Sequence, residues 1–477
     1  MQKSGKLELT WVGKYEQKEI EPRILVENSE LSYGDRDTGN MLIHGDNLIA
    51  LKALEQDYAG KIKCIYIDPP YNINAANEHY DDFIEHSQWL CLMRSRLQIL
   101  HDLLHESGVI LIQIDDDECA YLKVLCDEIF GRNNFQNMLT IETGEVFGTK
   151  AAHINKSFVK VKDYILIYSK ECDKRGNIVP LWTATNELFD SHYSTYIDEN
   201  YNKFSLIDVL KSEQWIVDTF DMYHIPIKLD NIAKAMALDD RFRQYVYSEL
   251  ASKIYQDQPY TKSVSSSFSK NMIVGAVYDI DGLLVFKTKS GSHRYYQAFS
   301  NALHSTDDYK SEYTRSTARG DLWKNYHIDM RNVDDEGDVK FKNSKKPERL
   351  IRDLLKTYTN KGDIVLDSFL GSGTTAAVAH KMGRRWIGIE LGNHAYTHCK
   401  VRMDKVIDGE QGGISKSVNW QGGGGYKFYE LAPSLLVPNP KLPTIKQINP
   451  EYTFEMMCEA ICKLEGFKYK PDGKFQG

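Results

Sequence analysis

Two short segments of this 477-residue chain, far apart in sequence, carry side chains that could perform chemistry together. Residues 68–71 read Asp-Pro-Pro-Tyr and follow the apolar run 62–67. Residues 367–375 read Asp-Ser-Phe-Leu-Gly-Ser-Gly-Thr-Thr and close the apolar run that begins at Ile364. Each run predicts a buried parallel strand that ends in an acidic residue and a tight loop. Because ligands of open α/β sheets lie beyond the carboxyl ends of such strands, one loop suits a nucleotide-like cofactor and the other a flat base with an amino group.

The segment 369–374 has the character of a cofactor loop. Glycines after a strand let the backbone approach a ligand and turn sharply into a helix. The next predicted strand ends in Glu390, and an acid at that place hydrogen-bonds ribose hydroxyls in nucleotide-binding α/β folds. A dinucleotide dehydrogenase would prefer GxGxxG, whereas Thr374 and Thr375 follow the glycines here, which favours a cofactor other than NAD. The competing interpretation is a structural tight turn with a surface glutamate.

Asp68, Pro69, Pro70 and Tyr71 predict a site for the exocyclic amine of a base. Successive prolines fix an extended backbone without amide hydrogens, so their carbonyls stay available as acceptors. Asp68 can accept one N–H of an adenine amine and a proline carbonyl the other, while Tyr71 offers a flat face to a base extruded from a duplex. The competing interpretation is a Pro-Pro turn at the end of a buried strand. Beside the glycine loop, the segment favours an S-adenosylmethionine-dependent amino-methyltransferase that acts on nucleic acid.

The bulk composition is that of a globular protein. Its length suggests two or three domains, and a hydrophobic fraction of 42% with a charged fraction of 26% is ordinary. No apolar run approaches the ~20 residues of a membrane span, and the N-terminus has no signal-peptide core, so we expect a cytoplasmic protein. The eight cysteines lack the paired spacing of a zinc site, so no metal is expected.

The charge distribution bears on nucleic acid as a partner. The formal net charge is −8, which by itself argues against nucleic acid, but a binding surface need only be locally basic. Residues 261–320 carry eight basic and five acidic side chains, a local net charge of +3. The sign of this local charge suits a nucleic-acid contact.

The pattern of elements predicts an α/β fold with a doubly wound, mostly parallel sheet of Rossmann-like type, interrupted by an insert. The insert is rich in Tyr, Ser and Asn, and predicts short strands at 272–278 and 283–288 and a helical stretch at 232–254. The stretch 419–426 predicts irregular backbone because four glycines adjoin there. We divide the chain into an N-terminal extension, the catalytic half of the core, the insert, the cofactor half of the core and a C-terminal segment, at residues 1–40, 41–185, 186–320, 321–410 and 411–477.

The order of these motifs resembles that of the β-class amino-methyltransferases of DNA, and more narrowly that of the modification (Mod) subunits of type III restriction–modification systems. The resemblance covers most of the chain but nothing specific in the insert. Its most diagnostic stretch is 412–425, which reads Gly-Gly-Ile-Ser-Lys-Ser-Val-Asn-Trp-Gln-Gly-Gly-Gly-Gly. Further matching segments are 44–48, 87–97, 114–118, 127–131 and 345–351.

The resemblance implies roles for the matching residues. The catalytic residues would be Asp68, Pro69, Pro70 and Tyr71. Lys346 and Pro347 match a segment that closes over the methionine end of the cofactor, and Glu390 matches the ribose ligand. The full set implied for S-adenosyl-L-methionine is Asp46, Lys346, Pro347, Asp367, Phe369, Gly371, Ser372, Gly373, Thr374 and Glu390.

The resemblance also implies a function and partners. An aspartate at the first catalytic position usually accompanies methylation of adenine N6, and a serine more often accompanies cytosine N4. We therefore expect a sequence-specific adenine methyltransferase that flips its target base out of double-stranded DNA, with the insert as target-recognition domain. Methylation of cytosine N4 or of an RNA base, and a non-catalytic DNA-recognition subunit, stay open as alternatives. The implied assembly is a homodimer that partners with an ATP-dependent restriction (Res) subunit, and a solitary methyltransferase stays open as an alternative. The predicted helices 87–104 and 118–130 are candidates for the contact between the two copies.

Overall fold

The computed structural model describes most of the chain, namely residues 8–16, 20–21, 23–72, 85–146, 158–262, 264, 266–331, 333–341, 345–442, 444–467 and 469. The chain folds into two compact units. The first combines Met1–Val179 with Gly320–Gly477, and the second is Pro180–Arg319. The second unit nearly coincides with the predicted insert, 186–320.

The described strands and helices follow one another along the chain. The strands are β1 Leu25–Glu27, β2 Tyr33–Gly34, β3 Met41–His44, β4 Ile62–Ile67, β5 Leu104–Ile114, β6 Phe135–Glu142, β7 Lys162–Ser169, β8 Trp182–Ala184, β9 Thr195–Ile197, β10 Lys203–Ser205, β11 Ile254–Pro259, β12 Val277–Ile280, β13 Leu283–Lys287, β14 His293–Ala298, β15 Leu303–Ser305, β16 Tyr313–Ala318, β17 Leu322–Trp323, β18 Ile364–Asp367, β19 Arg385–Glu390, β20 Gly425–Leu431, β21 Leu436–Pro438 and β22 Lys446–Ile448. The α-helices are α1 Asn47–Tyr58, α2 His86–Leu103, α3 Asp116–Cys126, α4 Leu206–Ser212, α5 Gln214–Met222, α6 Leu229–Leu238, α7 Asp240–Tyr245, α8 Ser266–Asn271, α9 Tyr326–Met330, α10 Glu348–Tyr358, α11 Thr374–Lys381, α12 Val401–Ile407 and α13 Phe454–Leu464.

The first unit is built on an 11-stranded sheet. Its path runs β1-β20-β3-β19-β18-β4-β5-β7-β6-β17, and β2 also pairs with β20. The strands from β20 to β5 are parallel to one another, so their carboxyl ends share one edge of the sheet. The predicted α/β fold with a mostly parallel sheet is therefore confirmed.

Helices cover this sheet because one face of each is apolar. In α2 the side chains of Trp89, Leu90, Met93, Leu97 and Leu100 are buried in the main core. This apolar face of α2 is occupied by the chain's own core, so a dimer contact through α2 would use its other side chains. The dimer itself stays a prediction. Within the described residues, no helix combines the length and the apolar character needed to cross a membrane.

The hairpin of β6 and β7 is extended by β17, which pairs with β6 in parallel. One local prediction for the first unit differs from the structure. The stretch 419–426 is not wholly irregular, because β20 begins at Gly425 and pairs with β3. A side chain at Gly425 would lie 2.3 Å from the backbone of Asp35, so only glycine lets the strand start there.

The second unit is a mixed α and β structure. It contains a six-stranded antiparallel sheet in the order β10-β9-β11-β14-β13-β12 and a three-stranded sheet in the order β15-β16-β8. Helices α4 to α7 form a separate apolar core together with residues of neighbouring strands and short helical turns, among them Phe299. The predicted helical stretch 232–254 is wrong at its end, because Ile254 opens β11, and the predicted strand 272–278 is mostly turn, because β12 begins at Val277.

Candidate active site

The two predicted loops meet because their strands are neighbours. β18 pairs in parallel with β4, with Val365 opposite Cys64 and Leu366 opposite Ile65. Asp68 and the glycine loop therefore leave the sheet at the same edge. Together with Lys346 they line one cavity, whose lining residues are Tyr66, Asp68, Phe341, Lys346, Asp367, Phe369, Leu370, Gly371, Ser372, Thr374 and Thr375.

The two oxygens of the Asp68 carboxylate have different surroundings. Oδ2 accepts a hydrogen bond of 2.6 Å from the Lys346 ammonium, whereas Oδ1 is buried and has no hydrogen-bond partner among the described residues. Burial raises the pKa of Asp68, and the Lys346 charge and the Tyr71 hydroxyl act in the opposite direction. Because a buried acceptor without a partner costs free energy, a ligand that donates a hydrogen bond to Oδ1 would be stabilised here.

Tyr71 is held from both ends. Its backbone follows Pro70, whose carbonyl accepts a hydrogen bond of 2.9 Å from the indole N–H of the buried Trp89. Its hydroxyl donates to Asp163 Oδ2 at 3.3 Å and also lies close enough to the Asp68 carboxylate to lower the pKa of Asp68 by hydrogen bonding. The Lys346 ammonium lies 5.0 Å from the centre of the Tyr71 ring, so the ring and the Asp68 carboxylate contact the same cation.

The glycine loop is closed by hydrogen bonds that the Asp367 carboxylate accepts. Its Oδ1 accepts from the Phe369 amide at 2.9 Å and its Oδ2 from the Thr375 hydroxyl at 2.6 Å. Gly371 and Gly373 have φ of 57° and 82°, values that glycine adopts at little cost. Burial raises the pKa of Asp367 to about 7, although these hydrogen bonds act to lower it.

Glu390, predicted as a ribose ligand, accepts hydrogen bonds from the backbone of the glycine loop and of the residues that follow β19. Its carboxylate accepts from the amides of Gly371, Leu391 and Gly392 at 2.7, 2.8 and 3.1 Å, and it lies 2.8 Å from His394 Nε2. Glu390 therefore ties the glycine loop to the end of β19. Its predicted contact with a ribose stays a prediction, and such a contact would share the carboxylate with these backbone donors.

A buried ion cluster of Glu348, Lys381 and Arg402 supports the loop from behind. All three side chains are fully buried. Glu348 lies 2.8 Å from both Lys381 Nζ and Arg402 Nη2, and Arg402 Nη1 donates to the Thr374 hydroxyl at 2.7 Å. Thr374 in turn donates to the Lys346 carbonyl at 3.2 Å. The cluster thus links α10, α11 and α12 to both sides of the cavity.

The glycine-rich stretch 412–425 closes this cluster. The Ile414 amide donates to Glu348 Oε2 at 3.0 Å. A side chain at Gly413, where φ is 53°, would lie 2.1 Å from the same oxygen. The stretch 412–425, which carries the most specific resemblance, therefore has glycine where the backbone passes close to the buried Glu348 carboxylate.

Asp46 lies outside the cavity lining. It caps α1, where its Oδ1 accepts from the Leu48 amide at 2.9 Å. The next residue, Asn47, makes the contact with the cofactor loop, because its Nδ2 donates to the Ser368 carbonyl at 2.7 Å and its Oδ1 accepts from Arg96 at 2.5 Å. The predicted role of Asp46 in cofactor binding stays a prediction, and the signal for Asn47 was its place in the segment 44–48.

The structure brings together most of the predicted site residues. Those that line the cavity are Asp68, Lys346, Asp367, Phe369, Gly371, Ser372 and Thr374. Five others, namely Pro69, Tyr71, Pro347, Gly373 and Glu390, lie next to lining residues in the chain or contact them. Pro70 is two residues from Asp68 and contacts Trp89. Sequence reasoning missed Tyr66, Phe341, Asn47, Arg96 and Asp163. Within the described ranges, no cluster of three or more His, Cys, Asp or Glu side chains is arranged to hold a metal ion.

The buried ion cluster gives a prediction about stability. Glu348→Gln removes the carboxylate that pairs with both Lys381 and Arg402 and leaves Lys381 only its pair with Glu410, so we expect a loss of about 3–5 kcal/mol in the free energy of unfolding. Denaturant titration followed by circular dichroism measures it. The matched control is Glu55→Gln, which breaks a partly exposed pair with Lys52 and should change stability by less than about 0.5 kcal/mol. Equal stability of the two variants would contradict the role of the cluster.

Comparison with known proteins identifies the relatives of the chain. The Haemophilus influenzae protein described as a probable type III restriction-modification enzyme HindVI Mod subunit is 38% identical over 413 residues, which cover 83% of this chain and 54% of that protein. The EcoPI Mod subunit of Escherichia phage P1 is 31% identical over 72% of this chain and 56% of its own length. The EcoP15I Mod subunit of Escherichia coli is 26% identical over 79% and 62%.

The chain spans little more than half the length of these relatives. A family model described as DNA methylase matches residues 62–400, a range that begins with β4 and includes both loops of the cavity. The matched range is more than half of the chain. This protein therefore belongs to the DNA methylase family.

Proposed function

We propose that this chain transfers a methyl group from S-adenosyl-L-methionine to the N6 amine of adenine in duplex DNA, as the modification subunit of a type III restriction–modification system. The observation that carries the proposal is Asp68 Oδ1, which is buried, has no hydrogen-bond partner among the described residues and lies beside the glycine loop that follows the neighbouring strand. Membership of the DNA methylase family and the Mod relatives support it.

The charges around the cavity suit the proposed cofactor. S-adenosyl-L-methionine carries a sulfonium and an ammonium as well as one carboxylate, and its sulfonium supplies an electrophilic methyl group. Asp68 and Asp367 line the cavity and Glu390 lies behind the loop, so positive charge is favoured there. Lys346 is the cation in the described lining, and it suits the carboxylate of the cofactor.

The same residues suit an amine as the acceptor of the methyl group. Asp68 Oδ1 accepts one N–H of the amine, and the Pro69 carbonyl accepts the other, since the Pro70 carbonyl already accepts from Trp89. Two acceptors in this arrangement direct the nitrogen lone pair away from them and towards the cofactor cavity. As the new N–C bond forms and the S–CH3 bond of the sulfonium breaks, the nitrogen would gain positive charge that the Asp68 carboxylate stabilises. Loss of one N–H proton to solvent would then give the neutral methylamine.

Lys346 and Tyr71 position the other parts. The 2.6 Å bond from Lys346 fixes the Asp68 carboxylate, so that Oδ1 is the oxygen presented to the amine. The Tyr71 ring offers a stacking face for the flipped base, an interaction worth ~1–3 kcal/mol.

The aspartate at position 68 favours adenine N6. Cytosine N4 would use the same geometry, and mass spectrometry of nucleosides from methylated DNA separates the two products.

The remaining proposals concern recognition and assembly. We assign target recognition to the second unit, Pro180–Arg319, because it interrupts the catalytic chain and carries the locally basic stretch. The proposed partners are double-stranded DNA, a second copy of the chain and an ATP-dependent restriction subunit. A dimer would use a surface other than the apolar face of α2, and light scattering measures its mass.

The role of Asp68 gives the first test. Asp68→Ala removes the acceptor that acts as charge develops on nitrogen, so we expect methyl transfer from labelled cofactor into DNA to fall by on the order of 10²-fold or more. Cofactor affinity measured by calorimetry should change only a few-fold. Asp102→Ala, which removes an exposed carboxylate from α2, is the control and should leave both unchanged. Robust methylation by Asp68→Ala would refute the assignment.

The Lys346–Asp68 pair gives a prediction about pH. Asp68 must be ionised to accept from the amine, burial raises its pKa and Lys346 opposes that rise. In Lys346→Met the pKa of Asp68 should increase, so the acidic limb of the pH profile of kcat should move to higher pH. Lys52→Met, a surface change on α1, should not move it. An acidic limb that is unmoved or shifted to lower pH in Lys346→Met would contradict this electrostatic role.

The second unit gives a prediction about specificity. Exchange of residues 180–319 for the corresponding segment of a relative should change the methylated sequence, because readout of a duplex groove requires an extended surface. The catalytic residues all lie in the first unit, so the rate of methylation at the new site should stay within about tenfold. Single-molecule sequencing of DNA from cells that express each protein identifies the motif. An unaltered motif in the exchanged protein would disprove the assignment.

A further inference from the structure

A line of hydrogen bonds that the mechanism above does not use runs beneath the active site. The Tyr66 hydroxyl donates to Gln113 Oε1 at 2.7 Å. The Gln113 amide then donates to Asp163 Oδ2 at 2.9 Å. The same oxygen of Asp163 accepts from the Tyr71 hydroxyl at 3.3 Å. The line therefore joins Tyr66 in the cavity lining to the ring proposed to stack on the base.

Three adjacent strands build this line. Tyr66 lies on β4, Gln113 near the end of β5 and Asp163 near the start of β7, and these strands are neighbours in the sheet. Gln113 is fully buried and Tyr66 nearly so. A buried amide costs free energy unless both of its ends are hydrogen-bonded, and here both ends are. The side chains of β4 and β5 thus fix the place of the Asp163 carboxylate.

The Tyr71 hydroxyl is not needed for stacking, since the ring alone provides the flat face. Its use here is to hold the ring. The rigid Pro-Pro backbone fixes one end of the side chain and Asp163 fixes the other. Burial, followed by the nearby Asp68 and Asp163 carboxylates, raises the pKa of Tyr71, so the hydroxyl remains a donor. A ring fixed in advance loses less conformational entropy when a base stacks on it.

We propose that Asp163 is a positioning residue for methyl transfer: by accepting from the Tyr71 hydroxyl, it fixes the ring that receives the flipped base. This inference rests on the proposed function and adds a residue to it. The alternative is that Asp163 acts by its charge on Asp68, whose pKa it also raises. The variant Asp163→Asn separates these two actions, because asparagine retains an acceptor oxygen but carries no charge.

Four variants test the proposal in the full-length protein, with duplex DNA that contains the methylated motif. Asp163→Ala should lower kcat/KM for DNA by about 3- to 10-fold, as expected for the loss of one hydrogen bond. Asp163→Asn should stay within about twofold of the unmodified protein, because its oxygen accepts from both donors. Tyr71→Phe should lose at least as much as Asp163→Ala, because the Tyr71 hydroxyl also hydrogen-bonds to Asp68, and the double variant Asp163→Ala/Tyr71→Phe should lose no more than Tyr71→Phe alone. Cofactor affinity by calorimetry should be unchanged throughout.

Asp127→Asn is the matched control, because Asp127 accepts a hydrogen bond of 2.7 Å from Tyr168 in a similar pair at the end of α3. It should leave kcat/KM and the pH profile unchanged. Additive losses in the double variant, or an Asp163→Asn variant as impaired as Asp163→Ala with its acidic limb moved, would overturn the inference. Should Asp163→Ala fail to fold by circular dichroism, Asp163→Asn and Tyr71→Phe still decide it. An inactive unmodified protein would overturn the proposed function itself.

Discussion

The candidate site depends on the parallel pairing of β4 with β18. These strands come from opposite sides of the second unit in the sequence, and their register places Leu366 opposite Ile65. Because both strands run in the same direction, the Asp68 segment and the glycine loop emerge at the same edge. No residue of either loop could perform the proposed chemistry alone, since one loop provides acceptors for an amine and the other provides room for the methyl donor.

In the described lining of the cavity, the carboxylates of Asp68 and Asp367 are accompanied by one cation, Lys346. Burial works against ionisation of both Asp68 and Asp367, and the pKa of Asp367 reaches about 7. Lys346 opposes this effect at Asp68 through a direct bond of 2.6 Å. A site with an excess of carboxylates attracts a cationic ligand. Burial and the mutual repulsion of these carboxylates are therefore consistent with a cavity that binds positive charge.

The support for the loop comes from fully buried ions. Arg402 donates to Thr374 within the loop and lies against Glu348 at the start of α10, which follows directly after Lys346 and Pro347. A buried ion pair contributes little net stability compared with apolar packing, but the loss of one partner is costly. The arrangement thus fixes the positions of the loop and of Lys346 relative to each other, which a purely apolar contact would do less specifically.

The sequence by itself determined the fold class, both loops and most of the residues that line the cavity. It could do so because buried parallel strands are continuous apolar runs, and because Asp68-Pro69-Pro70-Tyr71 and the glycine loop each have a local physical reason. The stretch 412–425 was recognised by resemblance alone. The physical reason for its glycine at position 413, which is the close approach of the backbone to Glu348, is visible only in the structure.

Only the tertiary structure decided which partner each polar group has. Asp163 carries no signal in the sequence, because an aspartate near the start of a strand is ordinary until Gln113 and Tyr71 are placed beside it. The same holds for Glu390, whose carboxylate accepts from three backbone amides, and for Asp46, which caps a helix while Asn47 makes the contact with the loop. Hydrogen bonds depend on distances of a few tenths of an ångström between segments far apart in the chain, and no local pattern of residue types contains those distances.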